Sequence, residues 1–127
     1  MRIKMAQQNV VLFYPRLGWM DTFILDLPLS LVYVGDTCRR NGIEVRMFDQ
    51  RVEGKAWKDK YLKLVDENTI LAGFSCMTGS PITHALEATR LLKNHSPQTT
   101  TVWGGYHPTI CYESTLPCTQ STVAYIT

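Results

Sequence analysis

The chain has 127 residues, of which 45% are hydrophobic and 19% charged, and its formal net charge is +2. This length predicts one domain over residues 1–127, and this composition excludes intrinsic disorder. The basic residues are spread along the chain and no basic block is interleaved with aromatics, which argues against nucleic-acid binding.

The sequence carries no pattern typical of export or of membrane insertion. The basic start at residues 1–5 is not followed by an uninterrupted apolar stretch, and the apolar region 23–34 is too short to span a bilayer. The chain has four cysteines, Cys38, Cys76, Cys111 and Cys118. Their spacing matches neither a disulfide framework nor a metal site. We therefore expect a cytoplasmic, reduced protein whose side chains form no metal site and which has no membrane partner.

Strand-like and helix-like segments alternate along the first half of the chain. Asn9–Tyr14 is a continuous apolar run, typical of a buried parallel strand. A long loop over 16–26 leads to a helix that begins at Pro28 and ends near Gly42, a residue suited to capping a helix. Glu44–Asp49 alternates polar and apolar residues, which predicts a strand at the edge of a sheet.

The second half continues this alternation. We predict helices over 56–65, 81–94 (with Ser80 as N-cap) and 108–116, and strands over 69–75, 99–103 and 121–127. Five strands that alternate with helices indicate right-handed crossovers and therefore a parallel sheet. The predicted fold is a flavodoxin-like (Rossmann-like) α/β three-layer sandwich with strand order 2-1-3-4-5, which places the polar second strand at an edge.

Two strand-to-helix junctions stand out in this fold. The third-strand junction (residues 73–79) and the fourth-strand junction (residues 101–109) are each apolar runs that end in small residues. Since the carboxyl ends of neighbouring parallel strands converge, these junctions should lie side by side where open α/β sheets bind ligands. Gly104 and Gly105 would let a ligand lie directly on the backbone, so the pair predicts a site of cofactor size.

Five segments that occur in a fixed order carry a family resemblance. They are VVLFYP (10–15), LPLSLVY (27–33), RRNGIEV (39–45), GFSCMT (73–78) and VWGGYHPT (102–109). In their order and spacing they resemble the cobalamin (vitamin B12)-binding domain at the N-terminus of B12-dependent radical S-adenosylmethionine (SAM) enzymes. The resemblance extends from about residue 9 to residue 116.

The wider B12-binding fold has three sequence marks. The chain carries two of them, one with methionine in place of leucine. Ser75-Cys76-Met77 stands in place of Ser-x-Leu after strand three, and Gly104-Gly105 matches Gly-Gly after strand four. The first mark, Asp-x-His-x-x-Gly, is missing because the corresponding stretch 28–33 has no histidine. The resemblance therefore implies that cobalamin binds at the carboxyl edge of the sheet without a histidine ligand to its cobalt.

The same resemblance implies which residues contact the cofactor and what the rest of the enzyme does. The implied cofactor-binding residues are Leu17, Gly18, Trp19, Ser75, Cys76, Met77, Thr78, Gly79, Ser80, Gly104, Gly105, Tyr106 and His107. S-adenosylmethionine and a 4Fe-4S cluster would belong to a radical SAM domain elsewhere in the parent, because this sequence has no Cys-x-x-x-Cys-x-x-Cys motif. We expect a domain cut from a longer radical SAM methyltransferase or related enzyme. By itself it should bind cobalamin weakly or not at all, and it should not be catalytic.

Other interpretations compete with this one. Gly-Gly after a strand is often a plain turn, and Cys76 has the character of a small buried hydrophobe. Asp49 ends the second strand where dinucleotide-binding folds hold a ribose, but the first loop lacks Gly-x-Gly-x-x-Gly. A receiver-like domain needs an aspartate where strand three ends in Ser75. A ligand-free interaction domain remains open.

Overall fold

A parallel β-sheet with helices on both faces forms the protein, and the computed structural model describes residues 6–23, 26–119 and 123–125. The strands are β1 (Asn9–Tyr14), β2 (Glu44–Asp49), β3 (Thr69–Ser75), β4 (Thr100–Gly104) and β5 (Val123–Tyr125). The helices are α1 (Leu29–Arg40), α2 (Trp57–Leu62), α3 (Ser80–His95), α4 (Tyr106–Ile110) and α5 (Tyr112–Thr119), with 3₁₀ turns at Gly18–Thr22 and Gln50–Val52. In the described part of the chain, no helix combines the length and apolarity needed to cross a membrane.

The strands are ordered β2-β1-β3-β4-β5, and every neighbouring pair is parallel. The prediction of a parallel α/β sheet is confirmed, and the four longer strands follow the expected order with polar β2 at an edge. The three residues of β5 pair with β4 from Val102 opposite Val123 to Gly104 opposite Tyr125. Positions 121, 122, 126 and 127 of the predicted fifth strand lie outside the described residues.

Alternation along β1 divides the core between the two faces of the sheet. Val11 and Phe13 face the larger cluster, which also contains buried residues of α2 and α3. Val10 and Leu12 face the opposite side and pack with Leu31 of α1. Since successive side chains of a strand point to opposite faces, the continuous apolar run of β1 is what a strand covered on both sides requires.

Tyr61 of α2 lies in the larger cluster, with its ring centroid 4.9 Å from that of Phe13. The residue is fully buried, and its hydroxyl has no hydrogen-bond partner among the described residues. Burial raises the pKa of this hydroxyl, so it remains protonated. A buried polar group without a partner is destabilising because it has lost its hydrogen bonds to water.

We expect Tyr61→Phe to raise the free energy of unfolding by about 1 kcal/mol, because the ring stays while the unpaired hydroxyl is removed. The melting temperature should rise by roughly 3–5 °C. Thermal and urea unfolding followed by circular dichroism would measure the change. Tyr33→Phe, on the exposed side of α1, is the control and should leave stability unchanged. A loss of stability in Tyr61→Phe would contradict the prediction.

Charged and polar side chains tie the strands together at the amino edge of the sheet. Asn9 donates a hydrogen bond from Nδ2 to Asp66 Oδ1 (3.1 Å) and accepts one from Thr69 Oγ1 (2.7 Å). Arg46 of β2 donates to Asp66 Oδ2 at 2.9 Å. The bonds from Asn9 and Arg46 favour the ionised carboxylate and hold the pKa of Asp66 below its ordinary value.

The lowered pKa of Asp66 predicts a loss of stability in acid. Because the folded pKa lies below the unfolded one, this carboxylate stabilises the fold fully above the unfolded value of about 4 and loses its contribution as the pH falls through the folded pKa. Asp66→Asn should therefore be less stable than wild type near neutral pH. The difference in unfolding free energy between wild type and Asp66→Asn should become smaller below about pH 4. A difference that stays the same at all pH values would contradict this assignment.

Three predicted helices differ from the observed ones. The helix predicted over 56–65 ends at Leu62 as α2. Beyond it, the backbone N–H groups of Leu64 and Val65 donate to the carbonyls of Tyr61 and Leu62, which makes a tighter turn. The expectation that Ser80 caps α3 is wrong, since Ser80 is the first helical residue. Gly79 precedes it with φ +111°. The segment predicted as one helix over 108–116 is divided between α4 and α5.

Candidate functional site

The third-strand and fourth-strand junctions lie side by side at the carboxyl edge of the sheet. Ser75 pairs with Gly104 at the ends of β3 and β4. Beyond them, Cys76 N donates to Gly104 O (2.8 Å) and His107 N donates to Cys76 O (3.1 Å). The parallel register therefore continues into both junctions and fixes their backbones relative to each other.

The two adjacent glycines have different surroundings. Gly105 has φ +101°, and a Cβ placed there would lie 2.9 Å from Cys76 O and 3.2 Å from Cys76 N. Only glycine fits this close approach of two backbones. A Cβ on Gly104 would meet no described atom within 4 Å. Gly105 is thus required for packing, whereas no described residue fills the space beside Gly104 at the end of β4.

Cys76 lies between the two junctions and is fully buried. Its backbone bonds to both neighbours, while its Sγ is 3.5 Å from Met77 O. Burial raises the pKa of the Cys76 thiol to about 12, so the sulfur stays protonated and unreactive. The residue supports the site through its backbone and its packing.

This burial predicts selective labelling of the cysteines. At about pH 8, iodoacetamide should leave Cys76 unmodified in the folded protein, because alkylation needs an accessible thiolate. Cys118 is exposed and should react first. Mass spectrometry of peptides, with a sample denatured in urea as the control, would measure both. Rapid native labelling of Cys76 would show that the junction opens.

Polar and exposed side chains border the paired junctions. Thr78 Oγ1 lies 3.4 Å from Nδ1 of His107, which links the two junctions at the surface. Met77 and Tyr106 are exposed, with 40% and 73% of their surface accessible. Ser75 is half-buried at the end of β3. The exposed residues of the two junctions are thus linked at the surface, while Cys76 lies buried between them.

The first loop, described at residues 15–23 and 26–28 between β1 and α1, reaches the same edge. Gly18 has φ +79°, and a Cβ there would lie 3.0 Å from Ser80 Oγ at the start of α3. Leu17 is buried, and its N–H donates to the carboxylate of Asp21 at 3.0 Å. Trp19 is 74% exposed. The loop thus packs on α3 and presents Trp19 outward.

The edge carries exposed apolar side chains from three segments. Trp19 stands edge-on to Phe23, with ring centroids 5.9 Å apart. Leu27, Met77 and Tyr106 are exposed on the first loop and the two junctions. These side chains belong to the three segments that follow β1, β3 and β4. Within the described residues there is no group of three or more His, Cys, Asp or Glu side chains placed to hold a metal ion.

The sequence interpretation missed a polar cluster beneath the first loop. Asp49 accepts hydrogen bonds from Arg51 N and Nε, both at 3.0 Å. Gln50 is buried, and its side-chain oxygen accepts from Arg16 N at 3.0 Å. The only sequence signal was the polar run Asp49-Gln50-Arg51, which begins at the last residue of β2. Asp49, the residue that would hold a ribose in a dinucleotide-binding fold, is engaged by Arg51.

Comparisons with known proteins identify a family by sequence and a similar fold among solved structures. The family model described as "B12 binding domain" matches residues 27–126, which is more than half of the chain. The fold is similar to the crystal structure of a novel cobalamin-binding protein from Desulfitobacterium hafniense DCB-2, with a TM-score of 0.62 and 17% identity. The match covers 92% of this chain and 52% of that one, so the chain spans about half the length of that protein. None of the curated proteins is significantly similar in sequence.

Proposed function

The chain belongs to the B12-binding domain family, and from this premise we propose that it holds cobalamin at the carboxyl edge of its sheet for a B12-dependent radical SAM enzyme. The cofactor indicated by the family is cobalamin. The observation that carries the proposed location is the open space beside Gly104, next to the close contact between Gly105 and Cys76.

The residues at this edge fit such a cofactor. Cobalamin has a broad, mostly apolar ring rimmed with amides and a nucleotide tail. The exposed side chains of Trp19, Met77 and Tyr106 offer an apolar surface for the ring. The space beside Gly104 suits a narrow tail, since a side chain there would fill it. Sites for small molecules combine apolar contact with a few placed polar groups, as this edge does.

Each residue of the proposed site has a role that follows from its position. Ser75, Thr78, Ser80 and His107 would donate or accept hydrogen bonds to the amides and to the tail. Leu17 and Cys76 would support the surface from beneath through packing, and Gly105 would hold the two junctions together at its close approach to Cys76. Gly18 and Gly79 take positive φ values at the turns. Cobalamin would supply methyl-transfer or radical chemistry when bound, and the chain's residues would bind and orient it.

Binding without a histidine ligand from this chain is the second part of the proposal. The stretch 28–33, where the fold family carries its histidine mark, has none. His84 and His95 lie on α3, and the ring of His107 lies beside Thr78. Spin resonance of the cob(II)alamin complex tests this with protein whose histidines are labelled with ¹⁵N. A nitrogen superhyperfine splitting that changes when the histidines carry ¹⁵N would show a histidine bound to the cobalt. That result would contradict the proposal.

The parent enzyme is proposed from the resemblance alone. The domain, residues 1–127, would be one part of a longer chain whose radical SAM domain binds S-adenosylmethionine and a 4Fe-4S cluster. That domain would cover the upper face of the ring, and the enzyme would transfer a methyl group or perform a related radical reaction. On this account the domain is not catalytic by itself.

Titration with hydroxocobalamin, followed by visible absorption, tests cofactor binding. We expect weak binding by this chain and tighter binding by a longer polypeptide that includes the radical SAM domain, because enclosure of the ligand strengthens binding. Equilibrium dialysis would confirm the stoichiometry. If neither protein binds cobalamin, the family's cofactor function has been lost in this chain, and an interaction domain without a ligand becomes the better interpretation.

A further inference from the structure

We propose that Arg51 is a positioning residue that holds the first loop in place for the ring of the cofactor. This inference rests on the proposed function, because it assigns the loop's purpose, but the contacts of Arg51 belong to the chain itself. The residue lies in the 3₁₀ turn after β2, outside the two junctions and outside the family's sequence marks.

The guanidinium of Arg51 is almost completely enclosed, with 5% of the side chain exposed. Nε donates to Asp49 Oδ1 at 3.0 Å and Nη2 donates to Asp49 Oδ2 at 2.8 Å, which makes a two-pronged ion pair. The carbon Cζ lies 4.5 Å from the centroid of the Tyr14 ring. A planar guanidinium can make the fork and the stacking contact at once, whereas a lysine ammonium cannot.

These contacts connect three separate parts of the chain. Tyr14 ends β1, Asp49 ends β2, and Nη2 of Arg51 also donates to the backbone carbonyl of Asp26 at 2.8 Å. Asp26 belongs to the last part of the first loop. Arg51 therefore bonds that part of the loop to the carboxyl ends of both strands.

A neighbouring arginine anchors the start of the same loop. Arg16 donates from Nε to the Gln50 carbonyl at 3.2 Å and from Nη2 to the Glu53 carbonyl. Both ends of the loop are therefore attached to the segment that follows β2. Between them lie Trp19 and Phe23, the exposed aromatic pair.

A loop attached at both ends presents its apolar side chains before the ligand arrives. If the loop became ordered only on binding, the affinity would be lower, because the entropy lost by the loop would offset part of the binding free energy. Arg51 thus acts on the cofactor through the loop and touches no reacting atom. Its loss should weaken cobalamin binding and loosen the first loop, while the core remains unchanged.

Arg51→Lys tests this, since it keeps the charge but loses the fork and the stacking. In the protein without cofactor, hydrogen exchange of the first-loop amides should accelerate by about tenfold, while exchange in α3 stays the same. The affinity for hydroxocobalamin should fall by roughly five- to tenfold. Arg39→Lys is the matched control, because Arg39 is an exposed arginine paired with Asp36 on α1, and it should change neither measurement.

If Arg51→Lys fails to fold, Tyr14→Leu replaces it, because this variant removes the stacking face but keeps both acceptors. It should loosen the first loop in the same direction. Unchanged loop exchange in a folded variant overturns the inference, as does unchanged affinity where wild type binds. A further outcome is that wild type fails to bind cobalamin while hydrogen exchange in the first loop still depends on Arg51. In that case the proposed function is wrong, but the role of Arg51 in holding the loop is retained.

Discussion

Replacing Gly104 with leucine should reduce the affinity for cobalamin by about a hundredfold, or roughly 2.7 kcal/mol, without unfolding the protein. The leucine side chain would occupy the open space beside the end of β4 in which we place the nucleotide tail. The Cβ of the leucine would have no described atom within 4 Å, and the backbone at Gly104 is not in the left-handed region, so the fold should tolerate the side chain. Titration with hydroxocobalamin and thermal unfolding measure the two effects separately.

Gly54 offers a matched control for this substitution. It too has open space around a built Cβ and no positive φ, but it follows β2 at the far edge of the sheet. Gly54→Leu should therefore bind cobalamin as wild type does. Unchanged binding by a folded Gly104→Leu variant would show that the tail lies elsewhere.

Replacing Gly105 with alanine should have the opposite outcome, a large loss of stability. Its φ of +101° with ψ of −168° is a conformation open almost only to glycine, and an added Cβ would lie 2.9 Å from Cys76 O. We expect the free energy of unfolding to fall by about 3 kcal/mol. This corresponds to a melting temperature lower by roughly 10 °C.

The adjacent position supplies the comparison for this prediction. Gly104→Ala adds the same methyl group one residue earlier, where nothing opposes it, and should leave stability within about 0.5 kcal/mol of wild type. Urea unfolding of both variants would measure the difference. Equal stabilities would mean that the contact between Gly105 and Cys76 is not maintained in solution.

The strands were predictable where residue pattern alone decides structure. The apolar runs of β1 and β3 and the alternation of β2 gave the observed bounds, because burial on one or both faces leaves a direct periodic signal. Helix ends were less predictable. Gly79, with a positive φ, takes the place before α3 that Ser80 was expected to fill, since the conformation of the third-strand junction outweighs the capping preference of serine.

The position of the candidate site was predictable from the sequence, but the separate roles of its residues were not. Parallel topology brings the third-strand and fourth-strand junctions together, so their convergence follows from strand order. The sequence cannot distinguish Gly104 from Gly105, because the difference lies in how closely Cys76 approaches each. The contact of Arg51 with Asp26 was equally hidden, since 25 residues separate the two along the chain.

The contact between Gly18 and Ser80 constrains how this protein can change in evolution. Because a Cβ on Gly18 would lie only 3.0 Å from Ser80 Oγ, the first loop and the start of α3 share one small volume. In homologous chains that keep this loop, a larger residue in place of Ser80 should accompany a change in loop length or path. These two positions, 62 residues apart, should therefore vary together, although neither belongs to a recognised sequence mark.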